Sequence, residues 1–322
     1  MKTNKPNKIN NRLLLACMAC LLAVVMLVSF IIALGKFSVD ISEESSVEEQ
    51  SDYESFENSE EEESSEIVNE TPKKYEYYDD LVFEDLTCVN DASKNGPLAI
   101  IKSENGYPTV DQSKIVNIYS KRQNKVYKLA NTSLVLYEDA LVSFDKFIAD
   151  FFAQVPDNDI IINKGYTVSD AITPGTTSVD LSSGYTIEFS NYLSKYKYED
   201  PEFQYLKDQA YRYGIIQRYP EGKSSYTGHD LDNAIYRYVG LAHSMYMNHY
   251  MYSLEEYIDK IRTEGVIEYK SELESNTSYI IYYVRCDAST TDIPVPTNDN
   301  CEYSIYGDGG QGFIVTVKMT IS

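Results

Sequence analysis

Residues 13–35 read LLLACMACLLAVVMLVSFIIALG, 23 residues without a charge. At about 1.5 Å per residue, a helix of that length crosses the roughly 30 Å hydrocarbon core of a bilayer. Lys2, Lys5, Lys8 and Arg12 precede the run with no acid among them, and residues 37–71 carry 14 acids and no base. Basic flanks stay on the cytoplasmic side, so the expected topology is a cytoplasmic tail (1–12), a transmembrane helix (13–35) and an outward-facing remainder. The rival is a cleaved signal peptide with Ala33 and Gly35 before the cut. The run exceeds the roughly 7–15 apolar residues that such a peptide needs, which favours the anchor. A lipid attachment at Cys17 fits poorly, because only four apolar residues separate it from Arg12.

The net charge of -22 then resolves by place. The tail contributes +4, Lys36 +1 and residues 37–71 -14, which leaves -13 for residues 72–322. The acidic segment is Ser/Glu-rich with few large apolar residues. Like charges repel and little surface can be buried, so residues 36–71 are expected to be a disordered stalk. The acidic balance of everything after the anchor also argues against nucleic acid as a partner, since phosphate binding needs clustered Lys and Arg.

Beyond the stalk the pattern is mixed α and β. Apolar residues at 137, 140, 141, 144, 147, 148, 151 and 152 make a helical stripe. Ile160, Ile161 and Ile162 read as a short buried strand, 185–189 alternates as another, and 215–219 reads as a third before a Pro220-Glu221-Gly222 turn. Asp200-Pro201 opens a helix that Gly214 stops, and Ser253 with Glu256 forms a capping box for a helix near 254–263. Residues 278–322 are nearly all strand, with a turn at Asp308-Gly309-Gly310. Cys286 and Cys301 end and begin two of those strands, so a bridge between them is an expectation in an oxidising compartment. Cys17 and Cys20 read as packing residues of the anchor.

The stretch 213–258 reads YGIIQRYPEGKSSYTGHDLDNAIYRYVGLAHSMYMNHYMYSLEEYI. It resembles the VanY-type D-alanyl-D-alanine carboxypeptidases, bacterial zinc peptidases that trim peptidoglycan stem peptides. Tyr219-Pro220-Glu221-Gly222-Lys223, Thr227-Gly228, Arg237-Tyr238-Val239-Gly240 and Leu254-Glu255-Glu256-Tyr257 match that family's motifs in register. Upstream, Gly165-Tyr166 stands where the family has S-G-Y-R, and Pro174-Gly175 and Gly184 frame its S-x-H-x-x-G-x-A-x-D segment. The resemblance covers roughly residues 80–322. It implies an α+β fold: an antiparallel sheet with flanking helices over 72–270, plus a small C-terminal β-unit over 271–322.

The departures bear on chemistry. By the resemblance, the zinc ligands fall at Leu181, Glu188 and Ile235, the general base at Asp232, the neighbouring Trp at Ala234 and a substrate-binding Arg at Thr167. A catalytic zinc needs about three N, O or S ligands and an open position for water. Leu and Ile offer no lone pair. Without the metal, water keeps a pKa of about 15.7 rather than about 7. Asp232 is one methylene shorter than Glu, which draws a base back from its working position. The chain has only three His, namely His229, His243 and His249. A rebuilt site from His229, Asp230, Asp232 and Glu188 is the weaker reading, since ligand number and geometry must both be right. His243 and His249 are six apart, off the i, i+4 face of a helix. Ser182-Ser183-Gly184 reads as turn chemistry rather than a nucleophile.

The sequence therefore implies a membrane-anchored, extracytoplasmic relative of these enzymes at a bacterial cell membrane, with no catalytic residue and no cofactor, its zinc lost. The expected ligand is a peptidoglycan stem peptide or an envelope protein, with Tyr166, Glu188, Arg218, Tyr226 and Arg237 as cleft candidates. The alternative is an active carboxypeptidase with a rewired site. The 30 tyrosines are mainly accounted for by strand propensity and half-buried packing; stacking on glycan is an option only at Tyr166 and Tyr226.

Overall fold

The helix stripe seen in the sequence becomes α1, Glu138–Gln154, the longest described helix. Its buried residues Ala140, Leu141, Phe144, Phe147, Ile148 and Phe151 repeat at three and four positions, which is what one helix face presents. The computed structural model describes residues 78–102, 107–168, 171–191 and 200–321. All of them belong to a unit spanning Thr71–Ser322. The expected anchor and stalk lie outside the described residues. Among the described residues no helix is long and apolar enough to cross a membrane.

The strands in chain order are β1 Phe83–Val89, β2 Ile115–Asn117, β3 Lys128–Leu129, β4 Val135–Tyr137, β5 Ile160–Lys164, β6 Thr186–Asn191, β7 Ile215–Tyr219 and β8 Asp232–Tyr238. They continue as β9 Val266–Lys270, β10 Thr277–Arg285, β11 Thr290–Pro296, β12 Cys301–Gly307 and β13 Gly312–Thr320. Three further helices of nine or more residues among the described residues are α2 Pro201–Gln209, α3 Leu241–Tyr250 and α4 Leu254–Glu264. A five-stranded sheet has the order β3-β5-β6-β8-β7, antiparallel except where β3 meets β5. One of its faces packs Ile160, Ile162, Ile187, Phe189 and Tyr236 against the stripe of α1 and against Phe203 and Leu206 of α2. Each such Ile, Leu or Phe side chain contributes about 1.5–3 kcal/mol by leaving water.

The second sheet, β12-β13-β10-β9, is covered on both faces. Tyr279, Ile281 and Ile314 pack on Met245 of α3 and on Leu254, Tyr257, Ile258 and Ile261 of α4. The alternate residues Ile280, Tyr282, Val315 and Val317 pack on Ile293 and Val295 of β11. Burial on both faces explains the continuous apolar run of β10. The C-terminal strands also reach back along the chain: β9 pairs with β10, and β1 pairs with β11 over seven residues. This is the expected α+β class with antiparallel sheets and flanking helices.

The capping box of α4 is present as read, with Ser253 and Glu256 each bonding the other's backbone N–H. The expected Cys286–Cys301 bridge is not: Cys88, Cys286 and Cys301 are free. The register gives the reason. Cys301 pairs with Met319 at one end of β13, while the Cys286 N–H bonds Gln311 beyond the other end. Eight residues of strand span roughly 25 Å, far beyond the reach of a disulfide.

Candidate functional site

The second face of the five-stranded sheet carries the polar residues. β6 and β8 pair Thr186 with Arg237 and Glu188 with Ile235, and β7 adds Ile216 opposite Arg237. The 3-10 segment Thr177–Ser183 is tied to this face. Gly184 ends the segment at φ +77, and a Cβ there would stand 2.7 Å from the Tyr137 ring, so glycine is required on both counts.

Asp180, fully buried in that segment, ties the face together. Its Oδ1 accepts from Arg218 Nε at 2.9 Å and from Arg237 Nη1 at 2.8 Å, and its Oδ2 accepts from Thr186 Oγ1 at 2.6 Å. Arg218 turns its other two nitrogens to Glu255 of α4, at 3.1 and 2.5 Å. Arg237 donates to the carbonyls of Pro97, Gly96 and Ala99. Burial alone would raise the Asp180 carboxyl, but the Arg237 and Arg218 guanidiniums outweigh it and hold the group below its ordinary range. The two arginines respond in opposite directions. Burial opposes charge on both, yet Arg218 is raised because Glu255 and Asp180 both face it, whereas Arg237 is lowered because burial, with repulsion from Arg218, outweighs the attraction of Asp180. Both remain guanidinium at neutral pH.

A cleft of about 360 Å³ opens beside this network, lined among others by Lys102, Arg218, Tyr219, Tyr226, His229 and Glu255. Tyr226 is exposed on its rim, with Lys223 Nζ 5.6 Å from its ring centroid. His229 lies edge-on to Tyr219 at 4.9 Å. Of the five residues expected in a cleft, Arg218 and Tyr226 line this one. Arg237 is wholly enclosed, because its guanidinium serves Asp180 and three carbonyls. Tyr166 stands elsewhere, its N–H on the Val135 carbonyl and its hydroxyl accepting from Gln112 at 3.5 Å.

The positions where the resemblance puts metal chemistry are all described. Leu181 and Ile235 are each 1% exposed and purely hydrocarbon. Glu188 accepts from Asn163 Nδ2 at 2.5 Å and from Lys164 Nζ at 2.8 Å. Asp232 accepts from Thr177 Oγ1 at 2.7 Å on one oxygen and from the Ala234 N–H at 2.9 Å on the other. Thr167 donates its hydroxyl to the Gly165 carbonyl. Among the described residues no three His, Cys, Asp or Glu side chains converge in a way that could hold a metal ion. This donor set does not fit a catalytic zinc, which needs about three lone-pair donors.

His243 is buried in α3, with Nδ1 2.6 Å from the Tyr257 hydroxyl and Nε2 3.0 Å from Thr316 Oγ1, and burial lowers its pKa to about 3. His249 is exposed beside Glu272 at 3.0 Å. Sequence reasoning passed over Asp180, Glu255 and Lys164. Their traces were an acid inside the Val179–Ser182 stretch, the first Glu of Leu254-Glu255-Glu256-Tyr257, and a lysine where the resembled motif begins with Ser.

No protein-family model matches the chain. A D-alanyl-D-alanine carboxypeptidase of Enterococcus faecium is 30% identical over 252 residues, covering 73% of this chain and 79% of that one. A second, from Enterococcus faecalis, is 31% identical over 104 residues, 38% of its length. Among solved structures, the vancomycin-resistance D,D-dipeptidase VanXYg, in complex with a D-Ala-D-Ala phosphinate analogue, superposes with a TM-score of 0.57. It is 20% identical and the match covers 74% of this chain and 99% of that one, so it speaks to the fold. With the motifs of β7, β8 and α4 in register, the chain belongs to the D-alanyl-D-alanine carboxypeptidase family.

Proposed function

We propose that this family member is a non-catalytic binder of peptidoglycan stem peptides, held at the outer face of a bacterial cell membrane by residues 13–35. The observation that carries the reading is the pair of hydrocarbon side chains, Leu181 and Ile235, at two of the three positions where the family's metal ligands fall. Asp232 supports it, because both of its oxygens are engaged within the fold. The cleft beside Arg218 and Tyr226 is the binding surface, of a size that takes a short peptide end. An envelope protein presenting such an end is the other partner class.

Calorimetric titration of the full-length protein with a pentapeptide ending in D-Ala-D-Ala tests the binding. Saturable heat with the peptide intact afterwards supports the reading; no binding by the pentapeptide contradicts it. The second reading is an active carboxypeptidase with a rewired site, and the 30% identity to an enzyme of that name favours it. Release of free D-Ala separates the two.

A further inference from the structure

β5 carries a bulge at the edge of the site. Ile162 pairs with Phe189 and Lys164 pairs with Glu188, which leaves Asn163 as the extra residue. In a regular strand the side chains of Asn163 and Lys164 would point to opposite faces. The bulge re-aims them so that both meet one carboxylate. Asn163 holds Glu188 Oε1 and Lys164 holds Oε2, one donor to each oxygen. Glu188 is 17% exposed while Lys164 is 48% exposed, so the acid sits deeper than its partner.

We infer that Lys164 is a tethered counter-ion that takes the place of a metal at Glu188, and that the Asn163–Lys164 bulge closes this position to divalent cations. An incoming cation would have to displace an ammonium already hydrogen-bonded to the carboxylate. It would then find Ile235 directly across the β6–β8 pair, where a second ligand is needed. The ion pair also makes an asymmetric demand. Loss of Lys164 leaves a mostly buried carboxylate without its cation, whereas loss of the Glu188 charge leaves a half-exposed ammonium that water can solvate.

Thermal unfolding of the full-length protein tests this with Lys164→Met, Glu188→Gln, their combination and Lys164→Arg, each with added zinc and with chelator. The expected pattern has four parts. Zinc and chelator leave the wild-type melting temperature unchanged. Lys164→Met lowers it by about 2–4 °C. Adding Glu188→Gln to that variant restores most of the loss. Lys164→Arg behaves as wild type. A zinc-induced rise in the wild-type melting temperature overturns the inference, as does simple addition of the two single losses. Neither readout involves peptide, so a cleft that binds nothing would leave this result untouched.

Discussion

Glu188 and Ile235 stand directly opposite each other on β6 and β8, on the face that also carries Thr186 and Arg237. Cross-strand partners are the closest side-chain neighbours a sheet provides, which makes such a pair a natural place for two ligands of one metal. Here one member is a carboxylate neutralised by Lys164 and the other is a buried hydrocarbon. The fold is that of the peptidase family, and on the proposed reading this pair holds no metal.

The Asp180 network is expected to carry much of the local stability. Asp180→Asn leaves two buried guanidiniums short of a counter-charge, and Glu255→Gln does so for Arg218. Removing one member of a buried ion pair costs about 3–5 kcal/mol. Chemical denaturation should show such a loss for Asp180→Asn; a change within about 0.5 kcal/mol, normal for surface substitutions, would show that the network contributes little.

Stability should fall on acidification, with His243 contributing. An unfolded His protonates near about 6.5, while His243 in the fold resists down to about 3. The unfolded chain therefore binds more protons between these values, so this contribution is complete above about pH 6.5 and is lost as pH drops toward 3. The slope is at most about 1.4 kcal/mol per pH unit. Asp180 has a depressed folded pKa, so its contribution is present above the ordinary carboxylate range and is lost only at lower pH. Melts between pH 7 and 5 should show the slope in wild type and a flatter one in His243→Gln.

Gly184→Ala combines a left-handed backbone with a Cβ 2.7 Å from the Tyr137 ring. The backbone term alone costs about 1–2 kcal/mol, and displacement of a ring stacked on Tyr185 at 4.3 Å adds to it. A melting temperature equal to wild type would refute this.

Tyr226→Ala isolates the cleft. The residue is 55% exposed, so stability should be unchanged. If the rim ring contacts the peptide, affinity should drop roughly fivefold, on the order of 1 kcal/mol. Calorimetry of the variant beside wild type reads both numbers.

The local elements were legible because they rest on short-range rules. The stripe of α1, the capping box at Ser253 and the Gly214 stop, which ends the 3-10 turn Ala210–Tyr213 that continues α2, all follow from local spacing. α3 is less legible, since residues 242–247 are all buried and no polar face alternates with an apolar one. The β1–β11 pairing joins segments some two hundred residues apart, and no local pattern fixes such a register. β11 also carries Pro294 and Pro296, which mask a strand in sequence and suit one at a sheet edge. In the site, the positions Leu181, Glu188 and Ile235 are singled out by the motif register that the resemblance implies. The roles of Asp180, Glu255 and Lys164 are not, because each depends on a partner brought in by tertiary structure.

Free D-Ala released from a D-Ala-D-Ala pentapeptide tests the central claim most directly. With the full-length protein and added zinc, the account predicts no release above the protein-free background while the peptide still binds. Release that rises with protein concentration and is abolished by Glu188→Gln or Asp232→Asn would contradict it.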